Sequence, residues 1–200
     1  MAKKAFFAKI RENDIERRED TLNTSKIAKG LVLLCLATAV GLGALGAQAA
    51  KVGQKLENVT LKDAEKKEST LPGFGEKVIS VTYADMQTAD DNDPVADAIK
   101  AKNYDEVKYK GFGVANLKDS WAPNAIIRAV IRKKMKKYDT VILTDEDHFI
   151  PKAWGLGDCN DVSVFMVIGK DQQVKFIKKG KVAGKEIDQV IRIIEAEITK

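Results

Sequence analysis

Charge stops at Lys29 and does not resume until Lys51. Between them, residues 31–46 are wholly uncharged, preceded by Lys26 and Lys29 and closed by Ala47-Gln48-Ala49-Ala50. A basic flank, an apolar core and an A-x-A exit form the pattern of a secretory signal peptide, with cleavage expected after Ala49. The alternative is an uncleaved anchor, because residues 31–50 make 20 positions, enough to cross about 30 Å of hydrocarbon. Residues 1–29 carry eight Lys and Arg against five Asp and Glu, and positive flanks stay on the cytoplasmic side. This segment is read as a cytoplasmic tail or as the product of a start assigned too early, a start near Leu22 leaving a short basic leader. Glu16 and Glu19 flank Arg17-Arg18 and no apolar run follows at once, so no twin-arginine signal is read. Leu33-Leu34 before Cys35 does not suit lipid attachment. The folding unit is therefore residues 50–200, expected in the periplasm, free or tethered through its N-terminal segment.

About 150 residues is the size of one ordinary domain, large enough to bury a core without disulfides or metals. The whole chain is +5, but more than half of that lies in residues 1–29. The high isoelectric point is thus partly a targeting feature, and no nucleic-acid partner is expected. After the leader, Cys159 is the single cysteine, so no internal disulfide is possible.

The exported part reads as alternating strands and helices. Residues 56–61 and 68–71 alternate around a polar joint at 62–67, as an N-terminal hairpin or lid. Residues 78–83 (Val-Ile-Ser-Val-Thr-Tyr) suit a buried central strand. Asp93-Pro94 reads as an N-cap with proline at the first helical position, and Val95, Ile99 and Tyr104 face inward. Residues 109–117 are a second strand. Asp119-Ser120-Trp121-Ala122-Pro123 starts a second helix, with Ile126, Ile127, Val130, Ile131 and Met135 on one face and Arg128, Arg132, Lys133, Lys136 and Lys137 on the other. Residues 141–143 are a third strand entering the acidic turn Asp145-Glu146-Asp147. Residues 163–168 and 174–177 form an antiparallel hairpin, and residues 185–198 a last amphipathic helix. The expected class is α/β: a central mixed sheet with an N-terminal β-hairpin extension on a βαβαββα core, which among right-handed windings fits the thioredoxin-like fold best.

Two segments are distinctive: Asn116-Leu117-Lys118-Asp119-Ser120-Trp121-Ala122-Pro123-Asn124-Ala125-Ile126-Ile127-Arg128, and Ala153-Trp154-Gly155-Leu156 ahead of the hairpin. Together they resemble the YtfJ family of small exported bacterial proteins. That resemblance covers residues 52–200 and implies a thioredoxin-like fold, export, and no established activity.

A dithiol enzyme of this fold needs a thiolate just after the first core strand, at a helix N-terminus that lowers its pKa, and a resolving cysteine nearby. The equivalent stretch, Tyr83-Ala84-Asp85-Met86-Gln87-Thr88, has no cysteine, and Asp161-Val162-Ser163 lacks the proline such enzymes place before the hairpin strand. Asp85, Met86, Thr88, Asp161 and Ser163 are instead candidate ligand-binding residues, and the expected role is a non-catalytic module binding an envelope protein or small ligand. No cofactor is expected. One alternative is a single-thiol redox protein using Cys159, although Asp158 and Asp161 would raise its pKa. Another is a hard-ion site of Asp145, Asp147 and His148, joined by Asp90, Asp91 and Asp93 if the loops meet, although no EF-hand spacing exists. The cationic helix face could meet an anionic surface. Trp121 and Trp154 are expected to be structural, Trp121 as a staple at the helix entrance; exposure of either would mark a binding surface.

Overall fold

A computed structural model describes residues 49–200. The leader, Cys35 and the two readings of residues 30–49 as cleaved signal or anchor lie almost wholly outside the described residues. No helix among the described residues is long and apolar enough to cross a membrane.

In chain order the described elements are β1 (Leu61–Lys62), β2 (Glu68–Ser69), β3 (Val78–Ala84), α1 (Asp93–Ala101), β4 (Tyr109–Asn116), α2 (Asn124–Tyr138), β5 (Ile142–Asp145), α3 (Phe149–Trp154), β6 (Val164–Ile168), β7 (Val174–Lys179) and α4 (Lys185–Ile198). One seven-stranded sheet runs β2-β1-β5-β4-β3-β6-β7. The helical crossovers make β3, β4 and β5 parallel, as the chain must climb back to the same edge before each new strand. β6 lies antiparallel to β3 and β7 to β6. The mixed sheet with its N-terminal hairpin is the expected architecture. The hairpin itself is shorter than expected, only Leu61–Lys62 against Glu68–Ser69. Residues before it run along the β6–β7 turn instead, where Leu56 N–H reaches Gln172 O at 2.9 Å.

Side chains alternate across the sheet, so each strand feeds two cores. One face gathers Ile79, Val81, Tyr83, Phe112, Val114, Leu143 and Met166 against Leu56, Leu61, Leu71, Ile150 and Trp154. Trp154 is fully buried there; its indole N–H reaches Glu57 O at 2.9 Å and its ring stacks near Phe74. The structural role expected of Trp154 therefore holds. The other face packs Val78, Phe165, Val167 and Phe176 against Val95, Ile99, Val190, Ile191 and Ile194 of α1 and α4. A third, smaller cluster joins Ile127 and Ile131 of α2 to Ala122 and Ile142.

Several boundaries differ from the sequence reading. α1 begins at Asp93 with Asn92 at the cap, because the Asp93 carboxylate is drawn to Lys134 across the helix pair. α2 starts at Asn124, not Asp119. Ser120 instead closes a turn, its hydroxyl donating to Asn116 O at 2.6 Å. Ile126 is 52 % exposed, off the buried stripe. β5 extends to Asp145, so this residue ends a strand rather than sitting in a turn, and α3 follows where no helix was expected.

Candidate functional site

The corner at the end of β3 is built around the Asp85 carboxylate, 2 % exposed. Its Oδ1 accepts from Gln87 N–H (3.1 Å), Thr88 N–H (3.0 Å) and Thr88 Oγ1 (2.8 Å). Its Oδ2 accepts from Asp161 N–H at 2.7 Å. A carboxylate takes several donors at once when ionised, and here four donors curl the 85–88 turn and draw in the 161 loop. Asn92 ties a second stitch: its amide donates to Ser163 Oγ at 3.0 Å, and its oxygen accepts Val182 N–H at 2.9 Å. The five candidate residues therefore do converge, but Asp85, Thr88 and Ser163 are buried and engaged internally, and Asp161 contributes its backbone. Met86 donates its N–H to Ser120 Oγ at 3.1 Å and packs against the α2 cluster.

Cys159 is 3 % exposed and belongs to the core beside Tyr83. Its Sγ points at Gly157 O, 3.6 Å away. Burial pushes the thiol above its ordinary range; Lys179 opposes this, while Asp158, Asp119 and Asp85 add to it. The nucleophilic thiolate is disfavoured twice, by desolvation and by negative neighbours.

Asp145 is fully buried. It accepts N–H groups of Asp147, Phe149 and Ile150 at 3.1, 2.9 and 3.0 Å, with Tyr83 O–H at 3.3 Å. It serves as the acceptor for the first turn of α3, which is why a helix forms there. Burial and the Asp145 charge raise the Tyr83 phenol far above its usual range. His148 has φ 57°, and its Nε2 lies 2.7 Å from Asp119 Oδ2. Burial works against it, but hydrogen bonds from Asn116 and His148 hold Asp119 below the ordinary carboxylate range. Asp147 pairs with Lys118 at 3.2 Å, Asp90 and Asp93 pair with Lys134, and Asp91 accepts from Ser163. The two acidic loops weighed as an alternative hard-ion site go to different partners. Among the described residues no group of three or more His, Cys, Asp or Glu side chains is arranged to hold a metal.

A cavity of about 400 Å³ lies between α1, α2 and the centre of the sheet. Asp85 and Met86 line one end, so the corner opens into it. Its floor is Ser80, Thr82 and Ala84 of β3 with Gly111, Gly113 and Ala115 of β4, and its roof includes Ile99, Ile127, Val130 and Ile131. Sequence reasoning missed this cavity, yet the signal was present: small residues recur at period two on two adjacent strands. Trp121 is 75 % exposed. It therefore does not staple the helix entrance.

Over residues 51–197 the sequence matches the family described as "Bacterial protein of unknown function (YtfJ_HI0045)". An uncharacterized protein of Haemophilus influenzae is 29 % identical over 105 residues, 52 % of this chain and 56 % of that protein; the match spans little over half the relative's length. The fold is similar to those of solved thioredoxin-like proteins. A candidate protein disulfide isomerase from Bacteroides thetaiotaomicron superposes with TM-score 0.58 at 14 % identity, covering 76 % of this chain and 92 % of its own. A secreted thiol-disulfide isomerase from Corynebacterium glutamicum gives 0.54 at 11 %, covering 74 % and 87 %. A peroxiredoxin-like protein from Aquifex aeolicus gives 0.52 at 9 %, covering 74 % and 88 %. At these identities the likeness concerns the fold.

Proposed function

From the premise that this chain belongs to the YtfJ family, we propose that it is an exported, thiol-inert thioredoxin-fold module that holds a ligand and does not exchange electrons. One observation carries this reading: the stretch between β3 and α1, where a thiol enzyme of this fold needs its attacking sulfur, holds no cysteine and is organised instead by Asp85, buried and bonded to four donors. An anion at that point would repel a thiolate and leaves no group to resolve a mixed disulfide. Cys159 offers no substitute, being buried with its pKa raised. The cavity that the corner opens into supports a binding role, since ligand sites are concave and mostly apolar with few polar groups. The leader supports a periplasmic address, with an envelope component as the thing bound.

The test uses protein recovered from the periplasmic fraction of expressing cells, expected to begin at Ala50. Insulin reduction with dithiothreitol should proceed at the uncatalysed rate, and Cys159→Ser should leave that rate unchanged. Catalysed turnover abolished by Cys159→Ser would establish the single-thiol alternative. Recovery only in the cytoplasm with residue 1 intact would remove the export half of the proposal.

A further inference from the structure

Charge is divided unevenly among the long helices. α1 carries Asp93 and Asp97 against Lys100, and α4 carries Glu186, Asp188, Glu195 and Glu197 against Lys185 and Arg192. α2 carries Arg128, Arg132, Lys133, Lys134, Lys136 and Lys137 and no acidic residue. Two of these cations have partners on or just before α1. Lys134 reaches Asp93 at 2.5 Å and Asp90 at 2.9 Å, and Lys137 reaches Asp97 at 3.2 Å and Asp93 at 3.4 Å. These pairs clasp α2 to α1. Among the described residues Arg128, Arg132, Lys133 and Lys136 form no ion pair.

Helical spacing gathers those four outward. At about 100° per residue, Ala125, Ala129, Arg132 and Lys136 follow the line opposite the buried Ile127 and Ile131, with Ile126 and Lys133 on one flank and Arg128 on the other. Such a stripe costs the helix stability. Arg128, Arg132 and Lys136 succeed one another at four-residue steps, as do Lys133 and Lys137, and like charges at that spacing repel. No acid on α2 offsets them, so the return on this arrangement lies with an anion outside the fold.

The form of the face selects among anions. It is the outer side of a 15-residue helix, straight for about 22 Å, and the cavity lies on the other side, against Ile127, Val130 and Ile131. Lysine is depleted from the centres of protein–protein interfaces. Lys and Arg beside Trp and aliphatic side chains are instead the composition of surfaces that rest on a bilayer, cations at the phosphates and indole at headgroup depth. Those neighbours are present: Trp121, just ahead of α2, and Ile126, in its first turn, are both exposed. The helix's own apolar stripe is engaged with Ala122 and Ile142, so α2 can lie on a bilayer without entering it.

We propose that the outer face of α2 docks on an anionic phospholipid bilayer, with Arg128, Arg132, Lys133 and Lys136 at the phosphates and Trp121 and Ile126 among the headgroups. The proposal names a lipid surface as an envelope component for the reading above, and rests on that reading for its compartment alone.

Trp121 reports on this face directly, because Trp154 is fully buried and residues 1–48 hold no tryptophan. The purified full chain is titrated with phosphatidylglycerol vesicles and with phosphatidylcholine vesicles, and acrylamide quenching of Trp121 is read at each lipid concentration. Protection by phosphatidylglycerol, absent with phosphatidylcholine and released by about 0.5 M NaCl, is expected. Residues 31–46 could hold the chain on either lipid, but only docking through α2 distinguishes the two at Trp121. Arg132→Gln and Lys136→Gln should each raise the lipid concentration required about fivefold, while melting no lower than wild type because each relieves a like-charge neighbour. Arg192→Gln on α4 changes net charge equally and should leave the titration unchanged. Equal protection by the two lipids, no protection up to about 1 mM lipid, or the same weakening in Arg192→Gln would overturn the proposal. Protection by polyglutamate and not by vesicles would assign the face to an acidic polypeptide and overturn it likewise. The insulin assay and the cell fractionation judge the earlier reading without lipid, so the two failures are distinguishable.

Discussion

Replacing Asp85 with Ala removes the acceptor for four donors at once. Two of them, the N–H groups of Gln87 and Asp161, belong to exposed residues, and water can take them up after a small shift. The Thr88 N–H and hydroxyl lie on a buried residue and lose their partner outright. Each buried donor left unpaired costs about 1–3 kcal/mol, and bonds to a charged acceptor sit at the upper end. Against that, the variant no longer buries a carboxylate, which recovers part of the loss. The balance is about 3 kcal/mol, a large share of the ~5–15 kcal/mol that a domain has in total. At ~2–4 °C per kcal/mol for a chain of this size, the melting temperature should fall by roughly 6–12 °C.

Asp85→Asn sharpens the test. One oxygen remains for Gln87 and Thr88, but the amide nitrogen then faces the Asp161 N–H across the 2.7 Å contact, donor against donor. About half the loss is expected, ~1–2 kcal/mol. The assay is urea unfolding followed by circular dichroism, with Trp154 fluorescence as a core reporter. A drop below about 1 kcal/mol for the alanine variant, or an asparagine variant as damaging as alanine, would show that the carboxylate does not organise this corner.

Two further outcomes follow from charges and exposure. Burial works against it, but Lys134, with Lys137 behind it, holds Asp93 below the ordinary carboxylate range. A lowered folded pKa contributes stability that is fully present above the unfolded value of 3.8 and is lost as pH falls through the folded pKa. The melting-temperature gap between wild type and Asp93→Asn should therefore be constant from neutral pH to about pH 5 and close below about pH 4; a gap that is independent of pH would remove the clasp as its source. Acrylamide should quench the fluorescence of Trp121, 75 % exposed, and spare that of Trp154, 0 % exposed, so that Trp121→Phe abolishes the quenchable fraction; quenching that survives this substitution would place Trp121 inside.

The strands and long helices were legible because each is local and periodic. The run at 78–83 and the stripe of Val190, Ile191 and Ile194 needed no partner to be read. What failed depended on contacts distant in sequence. Asp93 could be read as a cap but not as the partner of Lys134, 41 positions away. α3 was invisible because six residues carry almost no periodicity, and its start is fixed by Asp145, whose carboxylate turns inward. The same acidic run that suggested an ion site proved to be a helix start and a surface pair. The convergence of Asp85 with Asp161 was legible only through the fold: topology put both at one end of the sheet, but nothing in the sequence showed that the side chain of one would hold the backbone of the other.

The two departures from a thiol enzyme belong to one arrangement. With Asp161 N–H drawn onto Asp85 and Ser163 held by Asn92, the chain's own loops are tied together at this end of the sheet. Met86 turns toward α2 and lines the cavity, so the residue after the anchoring carboxylate faces the space between the helices. Two aspects of the floor then make sense together. Small residues on β3 and β4 cost core packing on one face, which the dense cluster around Trp154 on the other face offsets. Val95 and Ile99 seat α1 and Ile127 and Ile131 seat α2 in apolar clusters, and the Lys134 and Lys137 ion pairs add a polar link between the two helices at the rim. Such partly exposed pairs are individually weak, typically below ~1 kcal/mol.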